Sequence, residues 1–313
     1  MKILITGIQG FVGSNFTRDW REQHTLYGLD INQKSKDGVS QIFSWDDLKD
    51  IPKVDSIVHL AGKAHDTKNK SLAQDYFDIN TELTKKIFDY FLQSDSKKFI
   101  FFSSVKAVAD SVNGEVLTEE VIPNPVGPYG ESKVKAEEYI LEKLSIDEKS
   151  GKQVYIMRPC MIYGEGNKGN LNLLYKVVNK GVPWPLGAYE NKRSFCSIEN
   201  ISYVVGEFVK REGLKSGIYN VCDDETLSTN ELIELIAQSL DKSAHILRLP
   251  KFSINALATI GSILHLPLTK DRLHKLTENY IVSNKKVKRE LGIVEMPIRA
   301  QEGFAKTFES FNK

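Results

Sequence analysis

The sequence predicts an α/β fold, a doubly wound parallel sheet with a smaller C-terminal α/β part, and three observations carry that prediction. An apolar run, Ile3 to Ile5, breaks at Gly7, and glycines recur at Gly10 and Gly13 before a helical stretch begins. The next apolar run, Leu26 to Leu29, ends on Asp30. Later runs at 56–60, 98–104 and 153–158 are largely continuous in apolar character and alternate with stretches of helical period. Strands buried on both faces of a parallel sheet have that texture.

The first element is therefore a strand, a tight turn and a helix N-terminus. Gly7 permits the turn, Gly10 lets the backbone approach an anion, and Gly13 lets the helix pack closely on the sheet, while free helix N–H groups face a pyrophosphate. The spacing is Gly7-x-x-Gly10-x-x-Gly13, and three glycines alone are a weak signal. Asp30 strengthens it, because an acid about twenty residues further on is where a ribose 2′-hydroxyl would be gripped.

Residues 31–40 read as a loop and Gln41 to Phe43 as a short third strand. The strand from Ser56 stops at Ala61 and Gly62. Tyr76, Ile79, Leu83, Ile87 and Phe91 then recur at spacings of three and four, which predicts a helix with one buried face. The strand from Lys98 ends in two hydroxyls, Ser103 and Ser104. A ligand should lie beyond the C-terminal strand ends, where Gly7, Asp30, Ala61 and Ser104 fall.

Three prolines punctuate 123–128, a helix is expected from Tyr129 to about Lys149, and Pro159 ends the strand from Gln153. After Tyr163 glycine and proline interrupt short helical pieces. That change sets an expected boundary, a first domain at 1–165 and a second at 166–313, with some segments of the second returning to the sheet. Ser228 with Glu231 predicts a capped helix over Thr229 to Leu240, and a final helix is expected near Ile298 to Phe311.

Composition narrows the function. A net charge of +1 with no sustained basic run argues against nucleic acid as a partner. Three widely spaced cysteines, Cys160, Cys196 and Cys222, form no C-x-x-C pair. They suit a reducing, cytoplasmic compartment and argue against a disulfide framework or a metal site. A first strand at residue 2 leaves no room for a signal peptide. The apolar stretch Phe252 to Leu266 is too short to span a bilayer. Its ordinary reading is a buried helix, and its alternative is a helix lying in a membrane interface.

Tyr129 and Lys133 are four apart and share a helix face. An ammonium beside a phenol favours the phenolate, which would make tyrosine a usable base near neutrality. Ser104, at the mouth of the neighbouring strand, could hydrogen-bond the same substrate oxygen, so the three together could take a proton from a carbinol. Tyr139 and Lys143 share the spacing, but the earlier pair opens its helix just after the strand-end serines; Tyr139 is expected to pack in the core.

Thr6-Gly7-x-x-Gly10-x-x-Gly13, Asp30, His59-Leu60-Ala61-Gly62, Asn80, Ser103-Ser104, Tyr129-x-x-x-Lys133 and Arg158-Pro159-x-x-x-Tyr163-Gly164 together resemble the extended short-chain dehydrogenase/reductase family over essentially the whole chain. Within it the chain is similar to NAD-dependent nucleotide-sugar epimerases and dehydratases. The resemblance implies a seven-stranded Rossmann sheet with a smaller C-terminal substrate domain. It places the family's catalytic roles on Ser104, Tyr129 and Lys133, with the lysine also holding the nicotinamide ribose. Cofactor contacts would come from Gly7, Gly10, Phe11, Val12 and Gly13 in the turn, and from Asp30. Leu60, Ala61, Gly62, Asn80, Ser103 and Pro159 would complete them. Substrate contacts would fall on Ser104, Asn167 and Asn170, with Arg193 for a diphosphate and Arg272 as a weaker second arginine.

The activity implied is 4-epimerisation of a UDP-hexose or UDP-N-acetylhexosamine through a transient 4-keto sugar, in surface-polysaccharide biosynthesis. The alternatives are an NAD(P)H-dependent 4-keto-sugar reductase and a 4-epimerase of a polyprenyl-diphosphate-linked sugar. A non-catalytic dinucleotide sensor is a further rival, disfavoured by the intact Ser104, Tyr129 and Lys133. Val105 and Lys106 stand where dehydratases carry an acidic pair, which argues against elimination. Val108-Ala109-Asp110 stands where Val-Tyr-Gly usually closes the motif. Asp30 would repel a 2′-phosphate, so NAD is expected over NADP, with Lys34 and Lys36 as solvated loop charges. The resemblance also implies a homodimer formed through helices near 72–92 and 129–149.

Overall fold

The computed structural model describes residues 1–64, 72–112, 116–146, 151–167, 169–264 and 269–311. The expected helix end near Lys149 and the last two residues of the 252–266 stretch lie outside them. The chain opens with β1 (Lys2–Thr6), α1 (Phe11–Trp20), β2 (Thr25–Leu29), β3 (Gln41–Phe43) and β4 (Ser56–His59). Next, α2 (Ala73–Tyr76) runs through a π-helical turn, Phe77–Glu82, into α3 (Leu83–Gln93). Then come β5 (Lys98–Phe102), β6 (Val116–Leu117), α4 (Pro128–Ile146), β7 (Gln153–Pro159) and β8 (Met161–Tyr163). They are followed by α5 (Asn170–Asn179), β9 (Arg193–Ser197), α6 (Ile198–Lys210), β10 (Gly217–Val221), β11 (Thr226–Leu227) and α7 (Thr229–Ser239). The chain closes with α8 (Lys251–Ile263), α9 (Lys270–Thr277), β12 (Ile281–Val282), α10 (Lys285–Leu291) and α11 (Ala300–Ser310).

Seven parallel strands form the central sheet in the order β10-β7-β5-β4-β1-β2-β3. The two-residue period of a strand sorts its side chains between two cores. Ile3 and Ile5 of β1, Ile100 and Phe102 of β5, and Tyr155 and Met157 of β7 pack with Phe16 of α1 and Val204 and Phe208 of α6. Leu4, Phe99, Phe101, Val154 and Ile156 point the other way, against Ile87, Phe88 and Phe91 of α3 and Ala136 and Ile140 of α4. Continuous apolar strands are thus covered on both faces, as the sequence requires.

The chain leaves β1 toward β2 and β3, then returns to β4 on the opposite side of β1. In a doubly wound sheet that reversal is where a ligand crevice forms, beyond the strands' C-terminal ends. In the C-terminal half, β11-β9-β8 form a small sheet, and Tyr163, Phe195, Leu232, Ile236, Phe304 and Phe308 form its core with α5, α7 and α11. The predicted cap of α7 is present, with Ser228 Oγ accepting from Glu231 N at 3.1 Å and Glu231 Oε2 accepting from Ser228 N at 2.6 Å.

A buried ion pair fastens α4 to the sheet. Arg158 Nε of β7 donates to Glu137 Oε1 at 2.9 Å, Arg158 Nη2 also meets that carboxylate, and Ser103 Oγ donates to it from the end of β5. Both charged residues are about 1% exposed. Removing one partner leaves the other charge buried, so Glu137→Gln is expected to cost about 3–5 kcal/mol of stability. A thermal melt of the variant with no drop in midpoint would contradict this.

Candidate active site

Gly7 has φ +69°, and a Cβ there would lie 2.9 Å from the backbone of Ala61, the residue that leaves the adjoining strand. A Cβ at Gly13 would lie 2.6 Å from the Gly7 carbonyl, so the first turn of α1 can seat on the loop only without one. Gly10 caps α1 with its amide on the Gly7 carbonyl at 3.0 Å and offers no side-chain cap. The first-turn amides of Phe11, Val12 and Gly13 are left to face the crevice, and a pyrophosphate fits there.

Asp30, buried at the end of β2, accepts from Gln9 N and Asn32 N, each at 3.0 Å. Its carboxylate is therefore fixed beside the glycine loop, with lone pairs left for a ribose. Lys36 is not a solvated charge, contrary to the sequence reading. Its Nζ donates to Ile8 O at 2.6 Å and Ser14 Oγ at 2.7 Å, beneath the glycine turn. Burial lowers its pKa, and the Asp30 carboxylate opposes that fall. Losing a carboxylate that hydrogen-bonds a ligand costs about 1.5–3 kcal/mol. Asp30→Ala is accordingly expected to weaken NAD binding by about 10–100-fold, measurable by fluorescence titration.

The far wall of the crevice is held by a chain of buried hydrogen bonds. Ala61 N donates to Thr6 Oγ1 at 3.1 Å, which meets His59 Nδ1 at 2.7 Å. His59 Nε2 meets Thr84 Oγ1 at 2.8 Å, and Thr84 donates to Asn80 O at 2.7 Å. Since Thr84 donates onward, it accepts from His59 Nε2–H, and the Nδ1 atom accepts from Thr6; this tautomer is assigned from the network. Burial and the charge of Lys133 hold the imidazole pKa well below 6.5, so the ring is neutral.

Asn80 sits in the π-helical turn, where it and Thr81 both bond Ser132 of α4, through Ser132 Oγ at 3.0 Å and Ser132 O at 2.8 Å. The Asn80 amide otherwise clamps Lys63, accepting from its N at 2.7 Å and donating to its O at 3.1 Å. It shapes the segment carrying Leu60, Ala61 and Gly62 rather than presenting a free amide. The Ser103 hydroxyl is likewise turned onto Glu137, and Pro159 is buried at the end of β7.

Ser104 caps a short 3₁₀ turn, Val105–Ala107, with its Oγ accepting from Lys106 N at 3.2 Å. Gly130 lets α4 begin against this turn, since a Cβ there would fall 2.4 Å from Lys106 O. The half-buried Tyr129, the residue before it, is thereby set beside the turn that Ser104 caps, edge-on to Tyr76 at 6.4 Å between ring centroids. Lys133 Nζ donates to Phe102 O at 2.7 Å and lies 4.9 Å from the Phe101 ring centre. A Cβ at Gly62 would lie 3.1 Å from this ammonium.

The electrostatics correct the sequence reading. Burial raises the Tyr129 phenol above its ordinary value, the Ser104 hydrogen bond opposes this, and Tyr76 adds to it. Burial pushes Lys133 down to about 8, with Glu137 opposing. The ammonium is aimed at the Phe102 carbonyl, so exclusion of water governs the phenol instead. Tyr139, the rival tyrosine, donates to Asp89 at 2.6 Å and packs half-buried against the α3–α4 core.

Substrate candidates are less convergent. Arg193 opens β9, and its Nη1 donates to Lys275 O at 2.8 Å. Tyr280, which the sequence reading missed, pairs with Arg193 and donates through its hydroxyl to Ala109 O at 2.8 Å. Lys106 Nζ lies 4.6 Å over its ring and is ion-paired with Asp110 at 3.0 Å. Asn167 turns inward, its amide donating to Ile162 O at 2.8 Å and accepting from Gly169 N at 2.6 Å. Asn170 is the first residue of α5. Arg272 is exposed on α9, with its backbone N–H on Thr269 Oγ1 at 3.3 Å. Among the described residues no group of three or more His, Cys, Asp or Glu is placed to hold a metal.

The UDP-glucose 4-epimerase of Vibrio cholerae is 29% identical over 327 residues, spanning 99% of this chain and 95% of that protein. An N-acetyl-α-D-glucosaminyl-diphospho-ditrans,octacis-undecaprenol 4-epimerase of Escherichia coli O157:H7 is 28% identical over 293 residues, spanning 92% and 84%. In structure, the UDP-glucose 4-epimerase of Thermus thermophilus in complex with NAD superposes with a TM-score of 0.75 at 21% identity, covering 100% and 99%. The profile of the NAD-dependent epimerase/dehydratase family matches residues 3–222, across the glycine turn, Asp30, Ser104, Tyr129 and Lys133. The chain belongs to that family and is an enzyme of it with NAD as its cofactor.

Proposed function

We propose that this enzyme is a 4-epimerase of a UDP-hexose or UDP-N-acetylhexosamine. The observation that carries the reading is the packing of the start of α4, with Tyr129 and Gly130, against the turn that Ser104 caps at the mouth of β5, beside a glycine cradle that fits the dinucleotide. NAD, when bound, supplies reversible acceptance of the C4 hydrogen with its electron pair. Tyr129 Oη takes the proton of the C4 hydroxyl and returns it. Ser104 Oγ orients that hydroxyl. Lys133, one helical turn along, is the residue that would hold the cofactor's ribose and lend positive charge to the same end of the crevice. Arg193 offers a planar donor pair to the diphosphate. No net oxidation results.

Two 4-epimerases among the relatives support the reading, and the lipid-linked substrate named for one of them supports polysaccharide assembly as the setting. A 4-keto-sugar reductase would use the same three residues and release its cofactor each cycle; a GDP-6-deoxy-D-mannose reductase of Pseudomonas aeruginosa is a more distant relative, 24% identical. Denaturing the purified protein and measuring released dinucleotide separates the two. Near-stoichiometric NAD, with C4 inversion of UDP-sugars in the absence of added NADH, is the expected result. An empty protein that consumes added NADH would replace the epimerase with the reductase.

We also propose a homodimer through α3 and α4 and the π-helical turn beside them. Ile79 and Leu141 are exposed there, and Phe77, Lys85, Lys135 and Tyr139 line a groove between the helices. Light scattering at the mass of one chain would contradict it.

A further inference from the structure

The helix α8 does not behave as a buried core helix, which is the ordinary expectation for so apolar a stretch. Only Ile254, Ala258 and Gly261 are buried, and Ile254 and Ala258 pack with Leu186 and with Leu273 of α9. Phe252 is 77% exposed, Leu257 55%, Ile260 48%, Ile263 70% and Leu264 63%. At about 100° per residue these five, with the exposed Ala256, fall within an arc of about 140°. Asn255, Thr259 and Ser262 occupy a polar arc beside it, so the helix has three faces, one packed, one polar and one apolar and open.

The charge around this face is lopsided. Residues 245–278 hold five Lys and Arg, namely Arg248, Lys251, Lys270, Arg272 and Lys275, against two acids, Asp271 and Glu278, in a chain whose net charge is only +1. Arg248, Lys251, Lys270 and Lys275 are exposed. A symmetric contact with a second copy would bring these cationic flanks together, because a two-fold interface joins a patch to itself. A negatively charged surface would instead be complementary to them. No helix among the described residues is long and apolar enough to cross a membrane, so any contact of this one with a bilayer would be made lying in its plane.

We propose that α8, flanked by the basic residues of α9 and of the segment before α8, seats the enzyme on an anionic bilayer surface. The open arc enters the headgroup boundary, and the lysines and arginines pair with anionic lipid around it. The proposal has a consequence for the substrate, and this part rests on Arg193 as the diphosphate contact. Arg193 donates to the Lys275 carbonyl of α9, so the helix pair that meets the lipid also bounds the carrier end of the crevice. An enzyme seated in this way can take a sugar diphosphate whose carrier is anchored in the bilayer.

The test is co-sedimentation of the purified full chain with vesicles of phosphatidylcholine alone and of phosphatidylcholine mixed with phosphatidylglycerol. The enzyme is expected to bind the mixed vesicles, with affinity falling as salt rises. Combined Phe252→Asp, Ile260→Asp and Ile263→Asp should lower the partition coefficient by about tenfold or more, and Arg248→Glu with Lys270→Glu should do the same. Turnover of a soluble UDP-sugar should be unchanged in both. A wild-type chain left in the supernatant with the mixed vesicles would overturn the proposal. So would a triple variant that binds like wild type while a solution oligomer falls apart, which would give the face to a second copy. Tyr129→Phe should bind vesicles like wild type, so failure of the catalytic reading is distinguishable from failure of this one.

Discussion

Tyr129→Phe is expected to lower turnover by about 10²–10⁴-fold, the usual contribution of a positioned general acid–base group. The change removes one oxygen from a half-buried ring whose edge packs on Tyr76, and leaves the glycine cradle, Asp30 and Lys133 untouched. Bound dinucleotide and thermal midpoint should therefore stay close to wild type. The phenol stands above its ordinary pKa because burial disfavours its charged form. It is thus protonated at neutral pH in the cofactor-free protein, and acting as a base would require bound ligands to lower it. A variant that keeps wild-type turnover would remove Tyr129 from the chemistry.

Lys133→Met is expected to abolish turnover to a similar degree and, in protein stripped of cofactor, to keep or raise stability. Burial holds the lysine down to about 8 in the folded chain, against an unfolded value of 10.5. The unfolded chain therefore binds more protons between those two values, and wild-type stability gains from this group as pH rises through that window. Below pH 8 the buried ammonium is a standing penalty of about 3 kcal/mol at most, at about 1.4 kcal/mol per pH unit. Methionine removes the penalty and loses the charge-assisted bond to Phe102 O, worth about 1.5–3 kcal/mol. The net expectation is a variant at least as stable as wild type at pH 7, by up to about 1.5 kcal/mol, an advantage that shrinks toward pH 10. A variant less stable at pH 7, or an advantage that grows with pH, would contradict the assignment.

The features legible in the sequence were those set by local rules. Glycine spacing, the acid after the second strand, two-residue strand periods and the Ser228 cap depend on neighbours within a few residues. The missing pieces depend on contacts between distant segments. Glu137 lies one helical turn beyond Lys133, yet its role appears only when Arg158 and Ser103 close on it from two other strands. Gly130 looks like a helix-start glycine until the Lys106 carbonyl is placed against it.

The direction of the Tyr129 shift could not be read from an i, i+4 spacing. Spacing puts two side chains on one face, but the ammonium is drawn to Phe102 O, and Tyr76 reaches the phenol from another helix. Lys36 looked solvated because a long side chain in a polar stretch usually is; its path to Ile8 O depends on how the loop folds back. For α8 the apolar residues run most of the way round the helix, so periodicity could not say which of them the fold leaves uncovered.

The central claim is that Tyr129 at the C4 hydroxyl and NAD at the C4 hydrogen act on the same carbinol of the sugar, the cofactor returning the C4 hydrogen without exchange with water. The most direct measurement is conversion of a UDP-hexose carrying deuterium at C4, followed by NMR of the product. The account predicts inversion at C4 with the deuterium retained and no demand for added NADH. Loss of the label to water, or turnover that consumes added NADH, would contradict it.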